Sequence, residues 1–159
     1  MSVTVTKDRT AEVLAAIRDL TKTRVMVGIP ASSGRSGGDG IDNATIGYIA
    51  EVGAPERNIP ARPHLVPGVE SIRPQAIARL KAAGQAALAG DQAAVEKAFH
   101  VVGILAQNAV RAEITDGTFA PLAPRTLAAR RARGRQGDKP LIDTGQLRRA
   151  YTYTIVRKG

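Results

Sequence analysis

Four prolines stand at positions 55, 60, 63 and 67, and they decide how this chain can be divided. Each fixes φ near about −65°, removes a backbone donor and pushes the preceding residue into extended backbone. Ala54 to Pro67 therefore cannot be a helix, and the spacing predicts a stiff, irregular strut. A stiff connection presents its side chains in fixed places, here Arg57, Arg62 and His64. These are candidate interface residues. A second reading has Arg62 in an internal salt bridge with Glu51 or Glu70 and the prolines merely ending helices. No second histidine lies near His64, which argues against a metal site.

On the N-terminal side of the strut, Ser2–Thr6 alternates Val with Thr, the pattern of a short strand. Val13, Leu14, Ile17 and Leu20 recur at helical spacing over residues 8–20, behind a cap from Asp8 or Thr10. Val25, Val27 and Ile29 then alternate up to Pro30 and predict a strand over 24–30. Residues 31–42, rich in Gly and Ser, predict a flexible loop. Asp39 and Asp42 invite a calcium reading, but no terminal Glu stands at the required spacing; the glycines lack the Lys-Ser/Thr of a phosphate loop. Asn43 is placed to cap a helix that ends at Gly53.

Beyond the strut the composition turns to Ala, Leu, Ile, Arg and Lys. Val69, Ile72, Ile77, Leu80 and Leu88 are candidate core positions, with Pro74 restarting the helix. Gly90 and Asp91 punctuate the chain before the longest predicted helix, 91–115, which carries Val95, Phe99, Val102, Leu105, Ala106 and Ala109 on one stripe. His100 and Asn108 lie off that stripe, which makes them surface or interface residues and not site residues. Pro124 is placed as the first residue of a short helix over Arg125–Arg133. Gly134–Lys139 predicts a second flexible connector, and the alternation in 150–157 predicts a strand.

The chain of 159 residues fits a single domain. With no Cys, it has no disulfide, zinc-thiolate or thiol-nucleophile chemistry. No apolar run is long enough to span a bilayer and no leader pattern opens the chain, which implies a soluble cytosolic product with no membrane partner. Five aromatic residues leave the core to Ala, Val, Leu and Ile. Residues 111–159 hold 11 Lys/Arg against 4 Asp/Glu, and the rest hold 12 against 10. The basic character thus belongs to the C-terminal third, where Arg125, Arg130, Arg131, Arg133 and Arg135 follow one another without an acid. They suggest contact with a polyanion or an acidic protein face. No aromatic interleaves with them, which argues against a stacking platform for single strands.

Asp143-Thr144-Gly145 matches the aspartic-protease tripeptide, in which two aspartates share a proton across an interface. That chemistry belongs to all-β chains, whereas this one reads as helical. Asp143 with Gln146 three residues on fits a capping box instead, a structural cap on a helix start. Neither His64 nor His100 adjoins a Ser in a nucleophile motif. No enzyme activity, cofactor or metal is expected.

Two blocks carry a resemblance to a known family. The first runs from Val25-Met26-Val27-Gly28-Ile29 through Gly47-Tyr48-Ile49-Ala50-Glu51-Val52-Gly53 to Asn58-Ile59-Pro60-Ala61-Arg62-Pro63-His64-Leu65. The second is Gly117-Thr118-Phe119-Ala120-Pro121-Leu122 with Pro124 and Thr126, then Pro140-Leu141-Ile142-Asp143-Thr144-Gly145-Gln146-Leu147. In this order and spacing they resemble the tail-completion and neck proteins of tailed bacteriophages, the virion-morphogenesis group typified by Mu-like phages with the related tail-component group. His64 stands where that family usually has Phe, which implies a less buried position 64. Phe119 has different neighbours from the aromatic of the corresponding block.

The resemblance implies a non-enzymatic structural protein of the virion neck or tail, present in the host cytoplasm during assembly. Its implied partners are copies of itself in a ring, six by expectation, adjacent head-completion or connector proteins, and tail-terminator or tail-tube proteins. Genomic DNA would pass nearby in the channel. The alternative is a basic nucleic-acid-binding protein using Arg125–Arg135. The expected fold is a single α+β domain over residues 1–159, a small mostly antiparallel sheet packed by long helices, with loops at 31–42 and 134–139.

Overall fold

Apolar residues at intervals of three and four build one continuous helix, α5 (Gln92–Asp116), against which much of the described chain packs. Asp91 starts it by accepting the Ala94 N–H at 3.0 Å. The computed structural model describes residues 8–34 and 40–158; the strand expected at 2–6, and residues 35–39 of the first loop, lie outside the described residues. Val110 and Ile114 on α5 are completely or almost completely buried. Each such side chain contributes about 1.5–3 kcal/mol relative to exposure.

The described chain runs α1 (Thr10–Lys22), β1 (Thr23–Gly28), α2 (Asn43–Val52), a single 3-10 turn at Pro55–Arg57, α3 (Leu65–Ser71) and α4 (Arg73–Ala89). After α5 come α6 (Pro124–Ala132), α7 (Gln146–Ala150) and β2 (Thr152–Arg157). β1 and β2 pair antiparallel, with Val25 opposite Ile155 and Val27 opposite Tyr153. Those four are half-buried, while Met26 and Thr154, also paired, face out. The fold is α+β, a two-stranded sheet packed against long helices, as the periodicities predict.

α5 joins two cores. At its start, Val95 and Phe99 meet Ala16 and Ala87, with Leu20, Val25 and Ile155 packed against them. Toward its end, Val110 and Ile114 meet Ala50, Leu141, Leu147 and Tyr151. Two glycines let neighbours approach it. A Cβ on Gly68 of α3 would stand 2.7 Å from Val110 Cα, and one on Gly103 would enter the Tyr153 ring. α3 and the sheet thus rest almost directly on the α5 backbone.

Several positions depart from the periodicity. Ile77, Leu80 and Leu88 on α4 are 59%, 40% and 51% exposed, and Leu14 and Ile17 on α1 are also exposed. Ala83 and Ala87 of α4 and Ala16 of α1 take the buried places instead. Small side chains allow the helices to approach closely, which turns the larger ones to the flanks. Asp42, not Asn43, caps α2, accepting the Thr45 N–H at 2.6 Å. Asn43 turns inward and donates to the Gly34 carbonyl. Pro74 restarts the helix as expected, separating α3 from α4.

Candidate functional site

The strut is held by α2. Gly53 ends that helix at φ 78°, and a Cβ there would lie 2.8 Å from the Ala61 nitrogen. The chain can then turn through Pro55–Arg57, close an isolated bridge between Ala54 and Ile59, and return so that Arg62 N–H donates to Ala50 O at 2.7 Å. Glu51 on the same helix receives the backbone N–H groups of His64 and Leu65 at 2.8 Å each and of Val66 at 3.1 Å. Its carboxylate thus satisfies donors where α3 begins. Burial opposes its ionisation, but these three donors, with His64 beside them, hold its pKa below the ordinary value.

His64 is fully buried, in contrast to the exposure its departure from Phe implies. Its Nδ1 faces two acceptors, Arg62 O at 2.9 Å and Glu51 Oε2 at 3.2 Å, so that nitrogen carries a proton. Nε2 lies 2.6 Å from the Tyr151 hydroxyl. Burial, then the charge of Glu51, pushes the Tyr151 pKa well above the usual phenol range. The phenol keeps its proton and donates it to Nε2. Glu51, His64 and Tyr151 are ordered like a proton relay, but the imidazole is sealed from solvent, and the arrangement works as an internal tie.

Arg62 is likewise internal, 8% exposed. It pairs with neither Glu51 nor Glu70: Nε donates to Ala120 O at 2.8 Å and Nη2 to Pro121 O at 2.9 Å. Glu51 is occupied by the start of α3, and Glu70 pairs with Arg73. The strut therefore fastens the Gly117–Leu122 segment through a planar donor fork.

The arginine cluster divides. Arg130 is 5% exposed; its Nη1 donates to the carbonyls of Gly137, Lys139 and Ile142 and its Nη2 to that of Pro140. Arg135 donates to Asp143 Oδ2 at 2.5 Å, while Arg130 Nε lies 3.6 Å from Oδ1. The connector at 134–139 is thus fastened at several points, contrary to the flexible reading. Arg57, Arg125, Arg131 and Arg133 are exposed and available to a partner; Arg62, His64 and Arg130 are not.

The capping box does not form at Asp143. Gly145, at φ 73°, occupies the N-cap of α7 without a side-chain cap bond, and Gln146 is the first helical residue. Asp143 instead balances two guanidinium groups, one of them buried. No sequence pattern linked it to Arg135, nor Glu51 to the start of α3, although both acids stand in the quoted blocks. Tyr151 was legible only as a strand residue.

α2, the strut, α6 and the Pro140–Leu147 segment enclose an open pocket of about 360 Å³ with mainly apolar walls. Among the described residues there is no group of three or more His, Asp or Glu that could hold a metal ion, and no helix is long and apolar enough to cross a membrane. Comparison with protein-family models, curated proteins and solved structures gives no significant match.

Proposed function

We propose that the chain is a structural component of a phage neck, a tail-completion protein that assembles as a ring at the head–tail junction. The observation that carries this reading is the way the two resembling blocks depend on each other. Arg62 of the first grips the Ala120 and Pro121 carbonyls of the second, and His64 is bonded to Tyr151 just beyond its end. The quoted residues thus include those that tie one buried unit, which gives a reason for their common order in a protein of this kind.

The surface supports assembly. Tyr48 on α2 is 69% exposed, an aromatic of the type that anchors protein interfaces, and Val52 one turn on, 52% exposed, adds apolar area beside it. A ring requires head-to-tail surfaces of this sort. The nucleic-acid reading has its own support in exposed Arg125, Arg131 and Arg133. It is weakened because Arg130 and Arg135 serve internal bonds; within the neck role, phosphate contacts would retard DNA sliding through a channel, which favours a protein partner for the exposed arginines.

Light scattering on the purified chain, alone and with purified tails, separates the two. A defined ring, or a monomer that multimerises only on tails, supports the neck role. A monomer that binds duplex DNA with steep salt dependence, and ignores tails, supports the alternative.

A further inference from the structure

Arg62 is a buried cation without a carboxylate partner among the described residues. Two of its nitrogens bond to carbonyls, and it lines the pocket between α2 and α6 together with Arg130 and Arg133. Among the described residues, Asp143 is the one acid in that lining, and Arg135 and Arg130 already flank it. The pocket therefore carries more positive than negative charge, inside walls built from Ile46, Ile49, Ile59 and Leu147. Burial and then the charge of Arg130 both disfavour the Arg62 cation and pull its pKa below the ordinary guanidinium value. An incoming anion would reverse the second of these effects.

We infer that this pocket is a receptor for a carboxylate carried on an apolar body, presented by an acidic residue with aliphatic neighbours on a partner protein segment. Its volume suits a few side chains, and its design, apolar walls with a few placed charged groups, is that of ligand pockets generally. The carboxylate would meet the Arg62 edge while the aliphatic groups lie against the isoleucines. Guanidinium–carboxylate contacts are charge-assisted hydrogen bonds, stronger than neutral ones, and the planar fork favours a planar acid. Asp143 restricts the site to an acid that approaches from the Arg62 side. The inference does not rest on the neck role, since it concerns only what the pocket accepts.

The test uses the full chain with labelled isoleucine methyl groups, followed by NMR during titration with acetyl-Leu-Glu-Leu-amide, octanoate and octanol. The account predicts saturable shifts at Ile46, Ile49 and Ile59 with the peptide and with octanoate, and affinity at least about tenfold lower for octanol. Thr126→Glu, a half-buried pocket-wall position on α6, sets a fixed carboxylate in the pocket and should weaken the peptide at least about tenfold with unfolding unchanged. Arg62→Gln should do the same if it folds. Octanol binding as tightly as octanoate, no saturable shift with any probe, or Thr126→Glu binding the peptide normally would overturn the inference. Binding of octanoate without the peptide would overturn the assignment to a protein segment.

Discussion

The hydroxyl of Tyr151 stands 2.6 Å from Nε2 of His64, joining positions 87 residues apart inside a site closed to solvent. Removing one partner strands the polar atom of the other, whereas removing both leaves neither of these two atoms unpaired. Tyr151→Phe should cost about 1–2 kcal/mol in urea unfolding, and His64→Phe a similar amount. The double variant should cost less than the sum by about 1 kcal/mol or more. Additive losses would mean that the bond contributes nothing to stability.

Glu51 confers a stability that depends on acid pH. Its folded pKa lies below the ordinary 4.5, so the contribution is complete above the unfolded pKa and disappears as pH falls through the folded one. Glu51→Gln should lower stability at pH 7 by about 2 kcal/mol and flatten the decline between about pH 5 and 3. Denaturant titrations at both ends of that range measure this. A variant as acid-sensitive as the parent would contradict the role of the three backbone donors.

Asp143 is a charge partner, not a cap. Asp143→Asn should destabilise by about 1–2 kcal/mol, less than a fully buried pair because a fifth of the side chain is exposed. Arg135→Gln should cost less, since Arg135 is itself 36% exposed. If Asp143→Asn is neutral while Gly145→Ala is costly, the segment is held by its backbone turn alone.

The close approaches to α5 should differ in what relieves them. Gly68→Ala confronts the Val110 backbone, and Gly103→Ala overlaps the Cγ–Cδ2 edge of the Tyr153 ring, the end nearest its own backbone, so each should cost about 3 kcal/mol. Adding Tyr153→Leu should rescue Gly103→Ala in part and leave Gly68→Ala unchanged. Comparing thermal midpoints of these variants decides it.

What the sequence made legible was periodic or punctuated. Val95 to Ala106 fixed α5, Pro74 separated α3 from α4, and Val25 and Ile155 marked the paired strands. Burial was less legible where alanine competes with larger residues: Ala83 and Ala87 took places that the pattern offers equally to Leu80 and Leu88. The candidate site was the least legible part. Arg62, Arg130 and His64 are polar, and nothing local to them shows that distant carbonyls, or Tyr151, would make burial tolerable. Asp143 followed the same rule, since its partner Arg135 precedes it across a connector whose path depends on Arg130.

The neck role is tested most directly by virion assembly with this chain withheld. The account predicts filled heads accumulating beside unattached tails, and joined particles once the purified chain is returned. Normal infectious particles formed without it would contradict the account.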